Sequence, residues 1–215
     1  MHQGAYYMRL VADLGVPAVP LEPRLLVPPA AATAARAMLV ARGWDQARPL
    51  VTLAPGAAYG TAKQWIPANV ATLVQTLSDT RGVACVLVGS RADAATTAGV
   101  LHAAGPGSRV IDLAGATSLE VLAGVLSLSA ACVANDSGAM HLAAAVGTPV
   151  VAIFGPTIEQ ATRPLTRAGG HADILTHDVP CRPCMLRECP IDHRCMTGIT
   201  PARVLISVER LGALS

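Results

Sequence analysis

From residue 50 onward, short apolar segments alternate with segments of helical spacing, and this alternation restricts the chain to few folds. Each apolar segment ends in a loop that contains glycine or polar residues, and a helical segment usually follows. The segments that we interpret as strands are residues 50–54, 83–88, 110–113, 130–134, 150–154 and 172–175. Such a pattern predicts an α/β fold with a Rossmann-like, doubly wound parallel sheet.

The intervening segments carry helix signals. Pro67 and Pro201 stand where proline is favoured, at the first turn of a helix, and Thr200 precedes the second of them as a cap. Residues 117–120 read Thr-Ser-Leu-Glu, a capping box. Residues 158–170 are predicted to be irregular. We expect helices at residues 67–80, 93–104, from 117 onward, 140–146 and 201–212.

The first 48 residues have a different composition from the rest. Residues 3–14 have helical spacing, residues 16–30 hold five prolines and predict an extended connector, and residues 31–42 form an alanine-rich helical segment. We therefore divide the chain into residues 1–48, comprising these three segments, and residues 49–215, the Rossmann-like domain.

Composition excludes several classes of function. Hydrophobic residues make up 52% of the chain and aromatic residues 3%, so the core is aliphatic, as suits parallel strands covered on both faces. The net charge of +2 comes without a basic cluster, which argues against nucleic acid as a partner. No apolar stretch has the length of a membrane span, and the N-terminus does not resemble a signal peptide. These features predict a cytoplasmic protein.

The loops after the strands are expected to meet at one edge of the sheet, where ligands of such folds bind. In residues 135–141, an apolar strand breaks into Asn-Asp-Ser-Gly and a helix follows. Asp136 or Ser137 is placed to cap this helix, Gly138 permits close approach of a ligand, and His141 lies one turn further. Helix starts favour anions such as phosphate, although an ordinary capped turn has the same pattern.

Two further charged residues lie in these loops. Lys63 follows a glycine-containing loop and is placed either to pair with a phosphate or to stand at the surface. Asp93 follows a strand and predicts either a ribose contact or a helix N-terminal acid that satisfies the dipole. The P-loop pattern, the G-x-G-x-x-G dinucleotide fingerprint and the G-x-S-x-G elbow of hydrolases are all absent from the sequence.

The cysteines fall into two sets. Cys85 and Cys132 lie in apolar strands and are predicted to be inert core residues. The other four have the spacing C-x2-C-x4-C-x5-C in a loop rich in proline and arginine, and they are compatible with a structural zinc site, with redox-labile thiols or a disulfide, or with unpaired thiols. His193 is an alternative ligand. The four cysteines are Cys181, Cys184, Cys189 and Cys195.

Residues 55–65 and 135–141 together resemble the motifs of the lipopolysaccharide heptosyltransferases of glycosyltransferase family 9, most of all its heptosyltransferase II branch. Supporting segments in the family's order are residues 88–90, 113–120 and 154–157, followed by the cysteine loop and residues 199–201. The resemblance implies a GT-B enzyme, of which this chain is the C-terminal, donor-binding domain. It also implies inverting transfer of heptose from ADP-L-glycero-D-manno-heptose to the inner core of lipopolysaccharide, without a required cofactor.

The same resemblance assigns site residues. Lys63 is expected to contact phosphate or heptose and Asp136 the heptose hydroxyls, and these two are the expected catalytic residues. Ser137, Gly138 and the helix start are expected to hold the diphosphate, beside His141. The remaining expected donor contacts are Tyr59, Gly60, Thr61, Ser90, Asp93 near the ribose and Thr117 near the adenine.

One departure from the family is large. The acceptor domain, which carries the aspartate expected to act as general base, has no match before residue 50. We therefore expect a truncated product, a misassigned start or a domain fragment, and the alternative function is a nucleotide-sugar-binding domain that transfers nothing by itself. The lipopolysaccharide acceptor implies peripheral association with the cytoplasmic face of the inner membrane.

Overall fold

The computed structural model describes residues 1–105 and 108–212. In these residues six parallel strands form one sheet in the order β3-β2-β1-β4-β5-β6. This is the strand order of the Rossmann fold, and the direction of winding reverses between β1 and β4. The strands are β1 (Leu50–Ala54), β2 (Ala84–Leu87), β3 (Val110–Asp112), β4 (Ala131–Asn135), β5 (Val150–Phe154) and β6 (Ala172–Thr176).

Helices cover both faces of this sheet, so the predicted doubly wound α/β architecture is confirmed. The described helices are α1 (Gln3–Ala12), α2 (Pro29–Ala41), α3 (Pro67–Arg81), α4 (Ala94–Ala104), α5 (Leu119–Ser127), α6 (Gly138–Val146), α7 (Glu159–Thr162), α8 (Arg194–Thr197) and α9 (Pro201–Arg210). No helix among them is long and apolar enough to cross a membrane.

The sheet separates two apolar layers, which explains why its central strands are apolar except at Thr52 of β1 and Asn135 of β4. All residues of β1, β2, β4 and β5 are buried. One layer contains side chains of α3, α4 and α9, and the other contains side chains of α2, α5 and α6. Since alternate side chains of a strand point to opposite faces, burial on both faces requires continuous apolar segments.

Helix α2 packs closely against α5, although it precedes the predicted Rossmann-like domain. Ala35 and Leu39 of α2 are fully buried in the same apolar layer as α5. A Cβ atom added at Gly124 of α5 would lie 2.7 Å from the carbonyl oxygen of Ala31 and 2.8 Å from Cβ of Ala35. The absence of a side chain at Gly124 therefore sets the separation of the two helices. The division of the chain at residue 48 stays a prediction, and residues 213–215 of the second part lie outside the described residues.

Several local predictions differ from the structure. The expected irregular segment 158–170 contains the short helix α7, and the extended connector ends at Pro28, because α2 begins with proline at its first turn. Helix α5 begins one residue later than the capping box at 117–120 indicates, since Ser118 is its N-cap and accepts from the amide of Val121 at 3.2 Å.

Candidate functional site

A cavity of about 300 Å³ opens at the carboxyl ends of β1, β2 and β4, where the winding of the sheet reverses. Crevices at this position are the usual ligand sites of doubly wound folds. Its walls contain Ser90, Asp93, Thr117, Ser137 and Gly138, all predicted from the sequence.

The start of α6 forms one wall of this cavity. Ser137 has extended backbone geometry at the N-cap position, but its side chain accepts no bond from the first turn. Its hydroxyl oxygen is buried without a hydrogen-bond partner in the described residues. A Cβ atom at Gly138 would meet nothing within 4 Å. The first amides of α6 therefore have no side-chain cap, and the space in front of Gly138 is open, as an anion site at a helix N-terminus requires.

Lys63 and Asp136 form a largely buried ion pair beside the same helix start. Lys63 is the only lysine in the chain. Its Nζ lies 2.7 Å from Oδ2 of Asp136, which also accepts from the hydroxyl of Thr157 at 2.9 Å. Both bonds use Oδ2, and no described side chain donates to Oδ1. The pair therefore combines a fixed cation with a carboxylate oxygen that is able to accept from a ligand hydroxyl.

Asn135, at the end of β4, forms hydrogen bonds with the loop that follows β1. Its side-chain nitrogen donates to the carbonyl oxygens of Pro55 at 2.7 Å and Gly56 at 3.2 Å. Its oxygen accepts from the backbone amide of Trp65 at 3.2 Å. Because Asn135 is buried, these bonds satisfy groups that have no access to water. The amide thus fixes the loop after β1 against the end of β4 and places Lys63 next to Asp136.

Asp93 and Ser90 form a local capping box at the edge of the cavity. Oδ2 of Asp93 accepts from the backbone amide of Ser90 at 2.8 Å and from its hydroxyl at 2.7 Å. The alternative of a helix N-terminal acid is therefore observed. Asp93 also lines the cavity, so its predicted ribose contact remains compatible with this geometry.

The opposite side of the cavity is apolar. Leu119 and Leu122 of α5 line it together with Thr117, Val88 and Ala139. Leu119, the first residue of α5, is 71% exposed at the rim of the cavity. An exposed leucine at the apolar rim of the cavity is suited to contact the flat face of a nucleobase. The sequence did not assign the two leucines, because their spacing matches ordinary helix core positions.

Tyr59 lies outside the cavity, next to the ion pair. Nζ of Lys63 and Cζ of Arg187 each lie 5.0 Å from the centroid of the Tyr59 ring. Gly60 and Thr61 continue from Tyr59 into the short 3₁₀ turn Thr61–Lys63. The predicted donor residues therefore fall into two adjoining groups, one in the cavity and one around Lys63, and they meet at Asp136 and Ser137.

His141 is half-buried on α6 and does not line the cavity. Burial lowers its pKa below the usual histidine value, and the charges of His2 and Lys63 lower it further, whereas Asp136 opposes the shift. The imidazole is therefore mainly neutral at pH 7.

The environments of the cysteines confirm the prediction of two inert core thiols and do not test the prediction of a zinc site. Cys85 and Cys132 are fully buried, and burial raises the pKa of each thiol to about 12, so they are inert core residues. Among the described residues, no three histidine, cysteine or acidic side chains are grouped as a metal would require. Nε2 of His193, the alternative ligand, lies 2.6 Å from the carbonyl oxygen of Ala62 instead.

The four clustered cysteines differ in environment. Cys181 and Cys184 are exposed, Cys189 is partly buried and Cys195 is buried in α8. Burial raises the pKa of Cys195, and the neighbouring thiols add to that shift. Structural zinc at these thiols stays a sequence prediction, which metal analysis of protein purified without chelator will test.

A second cavity, of about 720 Å³, lies beside β6 at the edge of the sheet. It is wide and is lined by Arg163, His171, Asp173 and Arg210. Although it is larger, it lies beside β6 rather than at the reversal of winding and contains none of the predicted site residues. We therefore regard the crevice between β1 and β4 as the functional site.

Comparison with known proteins agrees with the motifs. The sequence profile described as glycosyltransferase family 9 (heptosyltransferase) matches residues 6–194. Lipooligosaccharide heptosyltransferase 2 of Haemophilus influenzae is 39% identical over 121 residues, which are 55% of this chain and 35% of that protein. Lipopolysaccharide heptosyltransferase 2 of Escherichia coli is 35% identical over 169 residues, which are 78% of this chain and 47% of that protein.

A solved structure supports the same relationship. The E. coli ADP-heptose lipopolysaccharide heptosyltransferase II superposes with a TM-score of 0.77 at 30% identity, over 92% of this chain and 56% of that one. The chain thus spans about half the length of the relatives it matches. The profile match begins at residue 6, well before the first recognised motif at residue 55. Because the family profile matches most of its length, this chain belongs to glycosyltransferase family 9, the heptosyltransferase family.

Proposed function

We propose that this chain is the donor-binding half of a heptosyltransferase and that it binds ADP-heptose at the carboxyl ends of β1 and β4. The observation that carries the proposal is the buried pair of Lys63 and Asp136 directly beside the uncapped start of α6. A cation, a carboxylate and free helix amides in one place match the needs of a sugar diphosphate.

The donor fits the site in two parts. The nucleoside occupies the cavity, with the adenine against the apolar side formed by Leu119 and Leu122 and with Thr117 at its edge. Asp93 lies near the ribose. The diphosphate then lies against Ser137 and Gly138, where the helix dipole and backbone amides favour negative charge.

The heptose lies on the side of Lys63 and Asp136, with Tyr59, Gly60 and Thr61 close by. Oδ1 of Asp136 accepts from a sugar hydroxyl, while Oδ2 keeps Lys63 in place. During transfer, negative charge builds on the departing diphosphate, and the ammonium group of Lys63 together with the helix amides stabilises that charge. This role makes Lys63 and Asp136 the catalytic residues of the chain.

Transfer also needs an acceptor and a base. We propose the inner core of lipopolysaccharide as the acceptor, at the cytoplasmic face of the inner membrane, because the matched relatives are named as lipopolysaccharide and lipooligosaccharide heptosyltransferases. The chain spans about half of those relatives, so the general base is proposed to belong to an acceptor-binding half. Residues 1–215 alone are then expected to bind the donor without transferring heptose, which is the activity of a nucleotide-sugar-binding domain.

Calorimetric titration with ADP and with ADP-heptose tests this proposal. We expect Lys63→Ala to weaken the binding of both ligands about tenfold or more, because it removes a charge-assisted contact to phosphate. We expect Asp136→Ala to weaken ADP-heptose more than ADP, since only the former has a heptose.

The matched control is Arg81→Ala, which breaks an exposed ion pair with Glu209 at the far side of the molecule. It is expected to leave both affinities unchanged. Equal affinities for wild type, Lys63→Ala and Asp136→Ala would refute the placement of the donor. Heptose transfer by residues 1–215 alone would refute the assignment of the base to another half.

A further inference from the structure

Residues 181–195, which we call the cysteine-rich segment, lie across the loop that carries Lys63. The backbone carbonyl of Arg187 accepts from the amide of Ala62 at 3.0 Å, and Nε of Arg187 donates to the carbonyl of Tyr59 at 2.7 Å. Nε2 of His193 lies 2.6 Å from the carbonyl oxygen of Ala62. The loop before Lys63 is therefore held on both sides of Gly60 by one segment that is distant in sequence.

The same segment holds the loop that carries Thr157. Nε of Arg182 donates to the carbonyl of Gly155 at 2.8 Å, and the amide of Met185 donates to the carbonyl of Pro156 at 2.9 Å. Arg182 also forms an ion pair with Glu159. Thr157 and Lys63 are the two donors to Oδ2 of Asp136, so both partners of that carboxylate are anchored to the cysteine-rich segment.

We infer that the cysteine-rich segment sets the geometry of the Lys63–Asp136 pair and that Arg187 is its principal positioning residue. The inference extends the proposed function, and only its expected effect on the affinity for ADP rests on that function. Arg187 binds the Lys63 loop through its carbonyl, its Nε and its guanidinium group, which lies 5.0 Å from the centroid of the Tyr59 ring. Its side chain reaches the loop from outside and does not line the donor cavity.

Gly60 shows how closely the two segments approach. A Cβ atom at this position would lie 2.2 Å from the carbonyl oxygen of Arg187, and the backbone φ of 151° is one that side chains rarely adopt. The requirement for glycine at position 60 therefore comes from the contact with Arg187. The backbone of the cysteine-rich segment therefore makes a specific, close contact with the Lys63 loop.

The unique lysine makes the inference directly testable. With isotope-labelled lysine, the side-chain Nζ of Lys63 gives a single NMR signal in the full chain, and Asp136→Ala defines the position of that signal when the ion pair is broken. Arg187→Ala is expected to move the signal toward the Asp136→Ala position and to weaken ADP binding about tenfold, the effect of losing one charged hydrogen bond.

Two further variants distinguish a positioning role of Arg187 from a general effect of removing an exposed arginine. Arg187→Gln places an amide nitrogen where Nε stands, so it is expected to restore most of the signal position by donating to Tyr59. Arg203→Ala removes another exposed arginine, which donates to the carbonyl of Thr176 at 3.1 Å and contacts none of the proposed donor residues, and is expected to change neither measurement.

A wild-type signal position in Arg187→Ala would overturn the inference, as would an equal displacement in Arg203→Ala. Failure of the wild-type chain to bind ADP would overturn the proposed function instead. In that case the Nζ signal alone would still decide whether Arg187 positions Lys63, so the two failures are distinguishable.

Discussion

Nζ of Lys63 lies 2.7 Å from Oδ2 of Asp136, and the two side chains are only 15% and 6% exposed. The cost of removing both charges from water is offset only if their geometry is good and further hydrogen bonds are made. Thr157 provides one such bond, and the loops around the pair are fixed by Asn135 and Arg187. Several elements therefore maintain the Lys63–Asp136 pair.

Breaking this pair is expected to destabilise the fold. Lys63→Ala leaves the Asp136 carboxylate buried with Thr157 as its remaining donor, and we expect a loss of about 3 kcal/mol in the free energy of unfolding. Urea denaturation at neutral pH measures the loss. Adding Asp136→Asn to Lys63→Ala removes the uncompensated charge and is expected to recover part of the stability.

The exposed pair of Arg81 and Glu209 serves as the control for this measurement, because its side chains are 42% and 38% exposed. Arg81→Ala is expected to cost less than about 1 kcal/mol. If Lys63→Ala cost no more than Arg81→Ala, the Lys63–Asp136 pair would not be a buried ion pair in solution.

Replacement of Asn135 is expected to loosen the loop after β1. Asn135→Ala leaves the amide of Trp65 and the carbonyl of Pro55 without their partner in a buried place, at a cost of about 3 kcal/mol. Asn135→Asp keeps the acceptor but turns a carboxylate toward two carbonyl oxygens, so it is expected to be worse at neutral pH than at acidic pH. Thermal unfolding of both variants at two pH values checks this order.

Stability is expected to depend on pH through His141. Its pKa in the folded chain is lowered from 6.5, chiefly by burial. Below about pH 6.5 the unfolded chain therefore binds more protons at this position than the folded chain does, so the free energy of unfolding rises with pH across the interval between the two pKa values. Comparison of wild type with His141→Asn isolates this contribution, and equal slopes would show that the His141 pKa is not lowered.

Two helical glycines are expected to respond differently to alanine, because only Gly124 lies in the packing of α2 against α5. Gly124→Ala forces a Cβ atom into the backbone of α2 and is expected to destabilise the fold by about 1–3 kcal/mol. Gly99→Ala, within α4, meets Pro67 at an ordinary contact distance of 3.6 Å and is expected to be neutral or stabilising. Denaturation midpoints of the two variants measure this difference. Unchanged stability of Gly124→Ala would show that α2 does not pack closely against α5 in solution.

Much of the fold was predictable, because apolar segments and helix signals are local. Strands β1 and β5 have the predicted bounds, and the final helix begins after Thr200 as expected. The helix cap at Ser118 was missed by one residue, since Thr117 and Ser118 offer the same hydroxyl chemistry and only the backbone angles decide between them.

The site was predictable only in part. Lys63 and Asp136 were singled out through strand ends and motif resemblance, and the structure brings them together. The roles of Thr157, Asn135 and Arg187 depend on contacts between segments 21 to 128 positions apart, which local patterns do not encode. The spacing of the cysteines in the cysteine-rich segment predicted metal ligands. The observed contacts of that segment are made mainly by its arginines and its backbone.

A crystal structure of the chain with ADP-heptose would show directly where the donor binds. We expect diphosphate oxygens about 3 Å from the amides at the start of α6, as hydrogen bonds require, with the adenine beside Leu119 and the heptose over Lys63 and Asp136. Donor bound instead in the larger cavity beside β6, or an empty crevice at saturating donor concentration, would contradict this placement.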